Sequence, residues 1–115
     1  KRKGVPELSS RIRSIRSDLE IRQPAMARVL GISQRKLSEL ENDARDIRLE
    51  TRRRLTEIER LHKALLDLVD PSELRGWLER PNPAFEGATP LQLIERGEID
   101  RLWEMIHLVR AGHPF

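Results

Sequence analysis

The sequence contains no cysteine and no tyrosine, and aromatic residues make up only 3% of it. Without cysteine there is no disulfide, no thiolate metal site and no cysteine nucleophile. With so few aromatics, a core must be assembled from Leu, Ile, Val and Ala. No apolar run approaches the roughly 18 residues of a membrane helix, and no signal peptide is visible. The expectation is a cytoplasmic protein without membrane contact; the chain does not begin with Met, so residues before Lys1 are left open. Catalytic signatures are missing too. There is no glycine-rich phosphate loop and no Ser in a nucleophile setting. His62, His107 and His113 are scattered, none with a second ligand at useful spacing on a helix face. The carboxylates all lie on charged helix faces. The pattern points to a binding protein that is not an enzyme and carries no metal and no cofactor.

What is present is charge laid over helical periodicity. A length of 115 residues suffices for one domain, or two small ones sharing a core. Charged residues make up 36%, yet apolar residues recur at helical spacing, which separates this chain from disordered ones. From Lys1 to Lys63 there are 17 Lys or Arg against 10 Asp or Glu; from Ala64 to Phe115 there are 5 against 9. A basic front half is the footprint of a phosphate-binding unit. An acidic back half repels DNA and serves another purpose. Chance clustering on solvated helix faces gives the same asymmetry.

Leu8, Ile12, Ile15 and Leu19 predict a first helix over Leu8–Leu19, with Ser9 or Ser10 as its cap. A second spans Gln23–Leu30, with Pro24 at its first position and Gly31 ending it. Ser33 caps a third, Gln34–Asn42. A long fourth runs from Leu49 to Val69 with a stripe of Leu55, Ile58, Leu61, Leu65 and Leu68. Asp70-Pro71-Ser72-Glu73 opens a fifth that runs to Glu79 and stops at Pro81-Asn82-Pro83. Ala84–Ala88 reads as a loop. Thr89-Pro90-Leu91-Gln92 is a capping box for a short helix ending at Gly97. A last helix covers Glu98–Arg110, with Leu102, Trp103, Ile106 and Val109 inward. No strand pattern competes, so the expected fold is all-α.

The spacing Gln23, Ala27, Gly31, Leu37, Leu40 describes two short helices crossing steeply. Ala27 permits the close approach, and Gly31 supplies the positive φ of the turn. Ile32, Leu37 and Leu40 close a small core against Met26 and Leu30. Gln34, Arg35 and Ser38 are left on the outward face of the third helix, flanked by Lys36. Gln pairs bidentately with adenine and Arg with guanine, so this face suits the major groove. Arg45, Arg48 and Arg52–Arg54 are placed for phosphates, with Arg45 and Arg53 the expected contacts. Over about residues 8–60 the chain resembles the Cro/repressor-like, or Xre, helix-turn-helix family, through Gln23, Ala27, Gly31, Ser33, Gln34, Leu37 and Glu41. The resemblance implies that Gln23 touches a phosphate and helps position Gln34. Three positions depart from the pattern: Pro24, Leu40 where an aromatic is usual, and Asp43 where Gly is usual. Asp adopts the left-handed conformation, so the turn after the third helix is expected to survive.

Over about residues 70–115, Trp77-Leu78, Pro81-Asn82-Pro83-Ala84-Phe85, Gly87, Pro90-Leu91, Leu93-Ile94 and Gly97 resemble the toxin-binding C-terminal domain of Xre-type antitoxins, the ParS-like group paired with RES-domain toxins. The end Gly112-His113-Pro114-Phe115 matches that family's glycine-plus-apolar terminus. The resemblance implies a helix-turn-helix bundle over residues 1–66, followed by a small helical toxin-binding and dimerisation domain over 67–115. It implies a bacterial antitoxin that silences a RES toxin, an NAD⁺-degrading enzyme, and represses its own operon as a homodimer on operator DNA. Trp77, Asn82, Gly112, His113, Pro114 and Phe115 are the expected toxin contacts, the last four reaching toward the toxin's active site. The stripe on the fourth helix and the C-terminal helices are the expected dimer surfaces.

Plainer roles exist for the same residues. Trp77, Trp103 and Phe85 also fit as core fillers, Pro81-Asn82-Pro83 as a rigid loop with Asn82 satisfying nearby backbone, and the last residues as a frayed end. Two further functions stay open: an Xre-family transcriptional regulator whose C-terminal half only dimerises or senses a small molecule, and an interaction module whose helix-turn-helix no longer binds DNA.

Overall fold

The computed structural model describes residues 7–45 and 47–112. Every regular element among them is helical. None of these helices is long and apolar enough to cross a membrane. Contacts divide the chain into two units, Lys1–Glu59 and Arg60–Phe115, with the boundary inside one long helix.

The first unit holds α1 (Leu8–Leu19), α2 (Gln23–Leu30), α3 (Gln34–Asn42) and most of α4 (Leu49–Leu65). Both α1 and α2 pack against α3. The core is aliphatic, as the composition requires: Ile12, Met26, Leu37 and Leu55 are fully buried, with Leu19, Leu30, Leu40 and Ile58 beside them. Each such side chain contributes about 1.5–3 kcal/mol on burial. Ile32, expected in this core, is only half-buried.

The helix ends show how local chemistry sets boundaries. Glu7, not a serine, is the N-cap of α1. Because the helix already starts at Leu8, Ser9 falls on its inner face. Its buried hydroxyl donates instead to the Leu40 carbonyl at 2.7 Å, tying α1 to the end of α3. Pro24 occupies the second position of α2, still within the turn whose N–H groups have no helical partner. Gly31 ends α2 with φ 72°, and the N–H groups of Gly31 and Ile32 close onto the Arg28 and Ala27 carbonyls. The expected left-handed Asp43 is not found. Its backbone is extended, φ −158°, because its carboxylate closes the turn by accepting from the Arg45 N–H.

Helix α4 stops at Leu65, four residues before the expected Val69. Pro71 forces Asp70 into extended backbone, and the intervening residues tighten into turns, with Leu68 N–H donating to the Leu65 carbonyl at 2.9 Å. Leu55, Ile58, Leu61 and Leu65 are all buried within the chain itself. Contrary to expectation, these four stripe residues are turned into the chain's own packing and not onto a dimer surface, while Leu68, the fifth, is half-buried.

The second unit contains the end of α4, α5 (Leu74–Glu79), α6 (Pro90–Glu95) and α7 (Ile99–Arg110). Single 3-10 turns cover Pro71–Glu73, where one continuous helix was expected, and Pro83–Phe85, which begins at the expected helix stop and runs into the expected loop Ala84–Ala88. Asp70 caps the first by accepting from the Ser72 N–H at 2.9 Å. The capping box of α6 is complete: Gln92 N–H donates to Thr89 Oγ1 at 3.0 Å, and Thr89 N–H to Gln92 Oε1 at 2.9 Å. On α7 the buried residues are Leu102, Met105 and Ile106. Trp103 and Val109 are half-buried rather than inward, because positions 102, 105 and 106 form the i, i+3, i+4 face that the core takes.

Candidate functional site

In the first unit, Ser33 starts α3 by accepting from the Lys36 N–H at 3.0 Å. This fixes the register of the helix. Leu37 and Leu40 then point inward, while Gln34, Arg35 and Ser38 are exposed and Lys36 is half-buried beside them. The Arg35 side chain is 91% exposed and lies 3.8 Å from Glu39, one turn on. The outward set read from the sequence is thus presented together on one surface.

Behind that surface lies a polar relay. Glu41 is buried, and its carboxylate accepts from Arg16 Nε at 2.6 Å and Nη2 at 3.1 Å. Gln23 Nε2 also donates to Glu41 Oε1, at 2.9 Å. The Gln23 carbonyl oxygen in turn accepts from Gln34 Nε2 at 3.5 Å, a longer and weaker contact. One buried carboxylate on α3 thereby orients a side chain at the start of α2, which faces the first residue of α3. Arg13 adds a bond from its guanidinium to the Glu41 carbonyl. Neither Arg16 nor Arg13 is singled out by sequence patterning. The only available signal for Arg16 is its place one turn beyond Ile12, at the edge of the apolar stripe.

Arg45 and Arg53 are both exposed. Arg45 is held by Asp43, with Nη2 to Oδ2 at 2.8 Å. Hydrogen bonding to Arg45 keeps the Asp43 carboxyl below its ordinary pKa. Arg54 serves the fold: it pairs with Glu50 at 3.3 Å, and its Nη1 lies 3.5 Å from the Val29 carbonyl at the end of α2.

In the second unit, Trp77 is half-buried on α5. With Arg80, Pro81, Asn82, Pro83 and Ala84 it lines a surface hollow of about 340 Å³. Asn82 organises the loop behind that hollow. Its side-chain oxygen accepts from the Ala84 N–H at 2.9 Å, its N–H donates to the Ala88 carbonyl, and its carbonyl accepts from Phe85 and Gly87. Asn82 thus takes the loop-building role open to it from sequence. Phe85 is buried, and the Arg101 guanidinium sits 5.6 Å over its ring while bonding Glu86 at 2.7 Å. That bond raises the Arg101 pKa above its ordinary value. Trp103 stands 6.2 Å from the His107 ring. Gly112 is exposed, just past the end of α7, with φ 95°. The expected contacts His113, Pro114 and Phe115 lie outside the described residues.

Residues 64–103 match the family described as the antitoxin Xre/MbcA/ParS C-terminal toxin-binding domain. The second unit is similar to antitoxin toxin-binding domains. The Xre/MbcA/ParS-like segment takes in Trp77, Asn82, the loop they border, the capped α6 and the first half of α7; Gly112 lies beyond it. In fold, the chain is similar to a chain of the crystal structure of the M. tuberculosis MbcT–MbcA toxin–antitoxin complex. The TM-score is 0.71 at 21% identity, over 96% of this chain and 100% of that one. No curated protein matches the chain.

Proposed function

We propose that this protein is an antitoxin that binds and neutralises a RES-domain, NAD⁺-degrading toxin and represses its own operon. The observation that carries the reading is the order of the two surfaces along the chain. A short helix presenting Gln34, Arg35 and Ser38 comes first, and a segment similar to toxin-binding domains follows.

In this reading residues 1–66 form the DNA-binding helix-turn-helix domain and 67–115 the toxin-binding domain. Helix α3 enters the major groove, where Gln34 reads adenine and Arg35 guanine, with Ser38 and Lys36 alongside. Gln23, Arg45 and Arg53 engage phosphates and fix the register. A homodimer places two such helices on a two-fold operator. Trp77, Asn82 and the chain end from Gly112 to Phe115 face the toxin, and the work is done in the cytoplasm, where DNA and toxin are both found. The protein acts by occupying surfaces, not by catalysis.

The test is co-expression with the product of the neighbouring gene. Co-purification, together with loss of that partner's NAD⁺ consumption, is the expected result. An Xre-type regulator without a toxin partner would yield no complex and no NAD⁺-degrading neighbour, and that outcome would overturn the antitoxin reading. Deleting Ala111–Phe115 is expected to weaken inhibition; unchanged inhibition removes the chain end from the toxin interface.

A further inference from the structure

Arg45 lies just beyond α3, and its guanidinium is already occupied. Asp43 Oδ2 is 2.9 Å from Arg45 Nε and 2.8 Å from Nη2, while Oδ1 is 3.2 Å from Nε. The carboxylate thus lies along the Nε–Nη2 edge, the fork that also suits a phosphate. Both side chains are exposed, 87% for Arg45 and 51% for Asp43. The two residues are neighbours within one non-helical connection, and the Arg45 N–H donates to the same carboxylate. These contacts span only two residues of sequence, so the pair is a local one.

We propose that Asp43 is an electrostatic latch on Arg45, occupying in the free chain the guanidinium edge that a DNA phosphate takes in the bound state. The inference rests on the DNA-binding reading above. An exposed ion pair is weak enough to open when the dense negative charge of a duplex arrives. A phosphate that takes the Nε–Nη2 edge of Arg45 must nonetheless displace Asp43 first. Since phosphate contacts carry no sequence information, the latch lowers affinity for all duplexes and leaves base discrimination to α3. Its effect is to keep the protein off DNA that offers only phosphates.

A double-mutant cycle tests this with a random-sequence duplex of about 24 base pairs, titrated by fluorescence anisotropy at low salt. The proteins are the wild-type chain, Asp43→Asn, Arg45→Ala and the double variant. Asp43→Asn retains an oxygen to accept the Arg45 N–H, so the turn is kept, and thermal melts check that all four proteins fold. The cycle isolates the pair whatever else Arg45 touches. Asp43→Asn is expected to tighten binding by roughly two- to fivefold more in the presence of Arg45 than in the R45A background, the scale of an exposed pair. Equal tightening in both backgrounds would show that Asp43 acts only as a repelling charge, and would overturn the latch. Weaker or unchanged binding by Asp43→Asn would overturn it as well. If none of the four proteins binds duplex at low salt, the DNA-binding reading itself fails and takes the latch with it.

Discussion

Glu41 Oε2 accepts a 2.6 Å bond from Arg16 Nε, joining α3 to α1 through a carboxylate that is almost wholly buried, its side chain 8% exposed. The same carboxylate holds Gln23 at 2.9 Å. Removing it strands the Arg16 charge and frees Gln23 together. Glu41→Ala should lower unfolding stability by about 1.5–3 kcal/mol, the scale of a hydrogen bond to a charged group, discounted because Arg16 is partly open to water. Urea denaturation measures it. Sequence-specific DNA binding should fall further than the stability loss explains, since Gln34 loses its neighbour's fixed orientation.

Gly31 is held at φ 72°, and a Cβ placed there would lie 3.3 Å from the Arg54 guanidinium carbon. Gly31→Ala should therefore cost about 1–2 kcal/mol from the left-handed backbone alone. Arg54 must also shift from the Val29 carbonyl. A urea midpoint equal to wild type would show that the connection relaxes to another conformation.

Thr89 and Gln92 satisfy each other's backbone at the start of α6. Thr89→Ala should destabilise by about 1 kcal/mol, whereas Thr89→Ser should be nearly neutral, because the cap needs the hydroxyl and not the methyl group. Thermal melts of the two variants separate these roles.

Hydrogen bonds from the Ser72 side chain and N–H hold the Asp70 carboxyl below its ordinary pKa. A lowered folded-state value means that folding favours the charged form. The contribution is full above the unfolded-state pKa and is lost as pH falls through the lowered folded value. Asp70→Asn keeps the acceptor and removes the titration. The gap in denaturation midpoint between wild type and this variant should be constant at neutral pH and change only in the acid range below the usual carboxylate pKa. A gap that varied near neutrality would contradict the assignment.

Gln34 and Arg35 differ in expected role from Arg53. Gln34→Ala with Arg35→Ala should erase discrimination, at about 1–3 kcal/mol for each bidentate contact. Arg53→Ala should weaken binding to all duplexes and flatten the salt dependence by about one phosphate contact. Specific binding left intact in the double variant would remove α3 as the reading element.

Several helix starts and stops are legible in the sequence because their chemistry is local, though the cap of α1 and the end of α4 are not. Ser33, Gly31, Thr89 with Gln92, and Asp70 before Pro71 each act within three or four residues, and the structure places the corresponding ends there. Asp43 departs from its expected conformation for a local physical reason. Its identity permits a left-handed backbone, but the choice went to extended backbone once Arg45 offered its N–H and guanidinium.

By itself, then, the sequence determined an all-helical chain, the approximate span of each helix, an aliphatic core and the outward set Gln34, Arg35 and Ser38. Periodicity and caps suffice for these, since they depend on neighbours along one helix. Only the tertiary structure decided which faces are consumed. It buried the α4 stripe within the chain, took Met105 inward and left Trp103 half-exposed, and enclosed Glu41 with Arg16 and Gln23. Those outcomes turn on residues brought together from different helices, where burial strengthens a paired charge and makes an unpaired one costly, and no spacing along the chain records that.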